Sequence, residues 1–69
     1  MEKGWINIFA TGDEYLVSIA KELLEENRID SVVINHKDSS YVWLGEVELY
    51  VRAENENKAL EVLKQLNKG

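Results

Sequence analysis

Two short β-branched stretches separated by one helical stretch constrain this chain more than any other feature. Trp5-Ile6-Asn7-Ile8-Phe9-Ala10 is apolar and rich in β-branched and aromatic residues, and Thr11-Gly12-Asp13 stops it, so it reads as a strand. Leu16, Ile19, Ala20, Leu23 and Leu24 then recur at helical spacing with Tyr15 beside them. Ser18, Lys21, Glu22 and Glu25 take the opposite face. Ile29 and Ser31-Val32-Val33-Ile34-Asn35 form a second strand. Strand, helix and strand in that order join through a right-handed crossover, which makes the two strands parallel and leaves room between them. The helix should open on the capping-box pair Thr11 and Glu14, with Asp13 and Glu14 complementing its dipole. It should close near Asn27, a residue that tolerates the left-handed conformation.

A third strand can fill the gap. His36-Lys37-Asp38-Ser39-Ser40 has turn chemistry, and Tyr41 to Val51 follows as a long strand. Tyr41, Trp43, Val47, Leu49 and Val51 alternate with Val42, Leu44, Glu46, Glu48 and Tyr50, and Gly45 marks an expected bulge inside the run. Arg52 to Asn55 lead into a second helix, with Asn55 as its cap. Ala59, Leu60, Leu63 and Leu66 form its buried stripe and Val62 lies at the margin. The expected architecture is a single domain over residues 1–69. It is an α+β, ferredoxin-like β-α-β-β-α two-layer sandwich, with a three-stranded antiparallel sheet of order 1-3-2 and two helices on one face.

Composition sharpens what such a domain requires. At 69 residues, folding buries only about 60% of the surface that the unfolded chain exposes. With no cysteine there is neither a disulfide framework nor a thiolate metal site. A core this small calls for a partner surface instead. The formal charge of −5, with eight basic residues scattered singly, opposes a phosphate backbone or an anionic membrane. No apolar run approaches the roughly 20 residues of a membrane span, and Met1-Glu2-Lys3-Gly4 has no signal-peptide core behind it. The expected location is the cytoplasm.

The fold itself points to two contact surfaces. Without a fourth strand, the first strand keeps an open edge. The sheet face away from the helices should carry Trp5, Phe9, Tyr50 and Val33, and Trp43 adds an aromatic on the hairpin. Such a patch suits association, in the first instance with a second copy as a homodimer. The Asn35–Gly45 hairpin supplies an alternative: a small-molecule sensor in which Asn35, Asp38, Ser39, Ser40 and Tyr41 hold an amino acid or nucleotide between sheet and hairpin.

Catalytic constellations are not evident. His36 is the sole histidine and, as a turn residue, is expected to be solvent-exposed and structural. His36, Asp38 and Ser39 cannot adopt triad geometry within one turn. Glu25-Glu26 and Glu54/Glu56 sit at helix ends rather than as ligand sets, and no calcium loop pattern is present. Thr11-Gly12-Asp13-Glu14 places two acids where a phosphate would bind. No metal, no cofactor and no enzymatic activity are expected.

Several of these residues together match a known family. Asp13, Tyr15, Leu24-Glu25-Glu26-Asn27, Ser31-Val32, Asn35, Lys37-Asp38-Ser39-Ser40-Tyr41, Gly45-Glu46 and Glu48-Leu49-Tyr50-Val51 resemble a small prokaryotic signal-transducing domain whose function is unknown. The resemblance spans essentially the whole chain, and Asp38-Ser39-Ser40-Tyr41 is its most specific element. Members are described as similar in fold to the nitrogen-regulatory PII proteins, which are ferredoxin-like. The resemblance implies a regulatory module in which the loop after the second strand, Asn35 to Tyr41, meets partners. PII proteins have a longer loop, a further strand and nucleotide-binding basic residues that this sequence does not show.

Overall fold

The structure is a computed structural model that describes residues 4–36 and 47–68. Within them the order is β1 (Trp5–Thr11), α1 (Glu14–Glu26), β2 (Ser31–Asn35), β3 (Val47–Arg52) and α2 (Glu56–Leu63). Short 3₁₀ segments, Ala53–Asn55 and Lys64–Lys68, flank α2. β3 lies between β1 and β2 and is antiparallel to both, giving the order 1-3-2 that the crossover requires. The part of the long third strand expected at 41–46, with the bulge expected at Gly45, lies outside the described residues.

The core rests on the central strand. Val47, Leu49 and Val51 are each at most 2% exposed. Leu49 and Val51 join Ala20 and Leu24 of α1, Ile29, and Ala59, Val62 and Leu63 of α2 in one apolar cluster. Both helices therefore cover the same face, and the α+β two-layer arrangement follows. On α1 the buried side chains are Val17, Ala20 and Leu24. Leu16, Ile19 and Leu23 are half-buried, and Tyr15 is exposed. On α2 two expected positions exchange. Leu60 is exposed and Val62 buried, because a 3.6-residue period starting from Ala59 brings Val62 and Leu63 to its face and rotates Leu60 away.

The helix ends differ from expectation for local reasons. Asp13, not Thr11, caps α1, its Oδ1 accepting from the backbone N–H of Tyr15 at 2.9 Å. Thr11 is held in the ladder opposite Val47, so it cannot also be the cap. Its hydroxyl instead accepts from Asp13 N–H at 3.1 Å. At the other end the left-handed residue is Arg28 (φ 60), not Asn27 (φ −98). Ile29 N–H donates to Leu24 O at 2.9 Å and Arg28 N–H to Glu25 O at 3.0 Å, the bond pair of a Schellman motif. Leu24 and Ile29 pack together beneath it, both in the core. Asn55 occupies the N-cap position of α2 but makes no side-chain cap hydrogen bond, because a 3₁₀ turn already leads into the helix.

β1 contains the sheet's irregularity. Asn7 is opposite Tyr50, yet Phe9 is opposite Leu49, so one extra residue is accommodated at Ile8. The Asn7 side-chain amide donates to Phe9 O at 3.2 Å and sits 3.5 Å from Leu49 O, tying the two sides of the bulge.

These caps make separable contributions. Asp13→Ala should lower stability by about 1 kcal/mol and Thr11→Ala by less, as measured by urea unfolding. Equal losses would mean that the cap is assigned to the wrong residue.

Candidate functional site

Residues in register across an antiparallel pair share a face, so the register sorts the whole sheet. Ile6, Phe9 and Thr11 of β1 and Ser31, Val33 and Asn35 of β2 accompany Val51, Leu49 and Val47 on the helix side. Trp5, Asn7 and Ala10, with Glu48, Tyr50 and Arg52 and with Val32 and Ile34, take the other side. Trp5 and Tyr50 thus lie on the helix-free face. Phe9 and Val33 do not. The bulge at Ile8 reverses the parity of β1 and carries Phe9 to the helices, while Val33, on the edge strand β2, follows Leu49 and is 37% exposed.

A polar chain crosses the helix-free face. Glu48 Oε1 lies 2.8 Å from His36 Nε2 and accepts from the Tyr50 hydroxyl at 3.0 Å. His36 is therefore half-buried and engaged, not a free turn residue; two residues beyond Ile34, it continues that strand's parity toward Glu48. The His36 hydrogen bond, against partial burial and with help from the Tyr50 hydroxyl, holds the Glu48 carboxyl below the usual glutamate range. Burial, reinforced by the neighbouring Glu48 carboxylate, pushes the Tyr50 phenol up. At the sheet end the Arg52 guanidinium stands 4.8 Å from the centre of the Trp5 ring, a cation–π contact. Both aromatic side chains placed on this face, Tyr50 and Trp5, are thus held by a charged neighbour.

The edge of β1 is built differently. Among the described residues β1 pairs with β3 alone, and Trp5–Thr11 contains no charged residue. Beside it runs a groove of about 180 Å³ lined by Ile8, Phe9, Leu60, Leu63, Lys64 and Leu66. β2 is an edge as well, but its flank is polar. Ser31 Oγ is 3.5 Å from Lys21 Nζ, and the Asn35 amide donates to Glu14 Oε1 at 3.1 Å. The apolar groove adjoins the edge of β1.

Of the residues expected to bind a small molecule, Asn35 lies on the helix side of β2, across the sheet from His36. Asp38, Ser39, Ser40 and Tyr41 lie outside the described residues, as does Trp43. Among the described residues no group of three His, Asp or Glu side chains could hold a metal ion. Sequence reasoning missed Ile8 and Leu60 at the groove and Glu48 as the partner of His36. The last was within reach: a β2–β3 pairing that sets Ile34 opposite Glu48 carries His36 to the same face.

Comparison with known proteins gives one result. A family model described as "Putative prokaryotic signal transducing protein" matches residues 5–67. No curated protein and no solved structure matches. No helix among the described residues is long and apolar enough to cross a membrane.

The Glu48 cluster should be visible in the pH dependence of stability. A carboxyl held low in the folded state stabilises at neutral pH, and that contribution fades as pH falls below the ordinary glutamate value of about 4.3. A phenol held high stabilises up to its ordinary value of about 10 and loses the contribution above it. Glu48→Gln should flatten the acid limb of the unfolding midpoint plotted against pH and weaken the alkaline limb, the rest of which burial of Tyr50 sustains. An unchanged profile would show that the cluster contributes nothing to stability.

Proposed function

The chain belongs to this prokaryotic signal transducing family, and on that premise we propose that it is a non-enzymatic regulatory module that works by pairing with a second copy of itself through β1. The observation that carries this reading is an uncharged strand that, among the described residues, pairs on one side alone and lies beside an apolar groove. Natural edge strands are usually blunted by charge, proline or cover, because their unpaired N–H and C=O groups are a template for another strand. Among the described residues, the one such device is the bulge at Ile8.

Two β1 strands related by a twofold axis would run antiparallel and join the sheets into one of six strands. Backbone hydrogen bonds would supply affinity and the flanking groove selectivity. Leu60, 42% exposed in the single chain, would then face the equivalent groove of the partner. Among the described residues no carboxylate lines that groove, and the one cation there, Lys64, is already 3.2 Å from Glu61. The net acidity of the chain therefore does not oppose contact at this place. The helix-free face, with Trp5, Tyr50, Val32 and Ile34, is a second surface for a protein partner once the edges are joined. A cysteine-free chain fits a reducing cytoplasm.

Sedimentation over a range of concentrations tests the pairing. The unmodified chain should be a dimer. Leu60→Glu, a change at an exposed helical position, should leave the fold intact by circular dichroism and give a monomer. A chain that stays monomeric at the highest concentration would overturn the proposal.

A further inference from the structure

The end of α1 goes against several local preferences at once. Its left-handed C-terminal position is filled by Arg28, the only described non-glycine residue with positive φ, where glycine would be free of the Cβ penalty. Its last turn carries no basic residue and instead holds Glu25 and Glu26, acids at the negative pole of the helix dipole. If Arg28 served only to offset the dipole, a basic side chain within that last turn would do so without a left-handed backbone. Departures of this kind gather where a site is being held in shape.

They gather around a cleft. A cavity of about 500 Å³ opens where β1 and β2 both begin, lined by Trp5, Lys21, Glu25, Arg28, Ile29, Asp30 and Ser31. Lys21 is already committed, its Nζ 3.2 Å from Glu25 Oε2 and 3.5 Å from Ser31 Oγ. Arg28 and Asp30 are exposed, and neither has an ion-pair partner among the described residues. The lining thus offers one uncommitted cation and one uncommitted anion two residues apart, beside the indole of Trp5.

We propose that this cleft binds a small zwitterion, a free α-amino acid, with its carboxylate on Arg28 and its ammonium on Asp30. Arg28 presents a planar fork suited to a carboxylate. Asp30 and the carbonyl pole of α1 favour an ammonium on the other side. Trp5, braced by Arg52, offers an apolar wall to the ligand's side chain. A phosphate would meet the uncommitted carboxylate of Asp30 and a simple amine the uncommitted guanidinium of Arg28, so each would be repelled by one of the two groups that a zwitterion satisfies. The left-handed backbone at Arg28 is then conformational strain retained for a ligand.

That last point makes the test decisive, because removing the ligand contact should improve the fold. The ¹⁵N-labelled chain is titrated with each of the common α-amino acids, and the Trp5 indole and the Arg28, Ile29 and Ser31 amides are followed by NMR. At least one amino acid should shift these signals saturably. Its N-acetyl derivative, its decarboxylated amine and inorganic phosphate should each bind at least roughly tenfold more weakly. Arg28→Gly should unfold at a higher temperature than the unmodified chain and bind that amino acid at least roughly tenfold more weakly. The proposal is overturned if no amino acid shifts these signals, if phosphate or the amine matches the amino acid, or if Arg28→Gly binds as the unmodified chain does.

Discussion

Everything in this domain hangs on one alternating strand. Val47, Leu49 and Val51 are the floor on which both helices sit, and the residues between and beyond them, Glu48, Tyr50 and Arg52, form the midline of the other face. Because the side-chain period of a strand is two, a slip of one residue would put a carboxylate, a phenol and a guanidinium under the helices and three aliphatic groups into water. The register of β3 therefore fixes, in one step, the core, the His36–Glu48–Tyr50 chain and the Trp5–Arg52 contact. In a chain with no disulfide, that single pattern specifies the structure.

Much of this was legible because it rests on periodicity. The helical spacing of α1 and the β-branched runs at Trp5 and Ser31 define the crossover, and the crossover defines the 1-3-2 order. What escaped had no compositional marker. Glycine is the usual sign of a bulge, and Gly45 carries that sign. The bulge observed in β1 is made by Asn7, whose amide binds the displaced carbonyls, and its neighbours Ile8 and Phe9 look like ordinary strand residues. One undetected insertion was enough to move Phe9 from the helix-free face to the groove. Arg28 is the same case at a helix end: asparagine is the commoner left-handed residue, yet the Schellman bonds fall one position later.

The pairing of His36 with Glu48 shows a different limit. The two are twelve positions apart, and no local rule joins them. Only the strand register brings the imidazole to the carboxylate at 2.8 Å. Contacts that depend on tertiary register can be anticipated from a sequence only once the strand pairing is known.

The bulge also bears on how β1 could accept a partner without inviting every strand. A flat, uncharged edge is an aggregation hazard, and acidic side chains elsewhere do not protect it. An inserted residue bends the strand and interrupts its ladder, so Trp5–Asn7 and Phe9–Thr11 are two short regular stretches rather than one long template. A strand that pairs across both must match the interruption, and a second β1 carries the same one. The irregularity that exposes Ile8 and Phe9 to the groove thus also narrows the set of strands that fit the edge. In the proposed dimer, openness and selectivity would both come from the same residue insertion, without a charged gatekeeper.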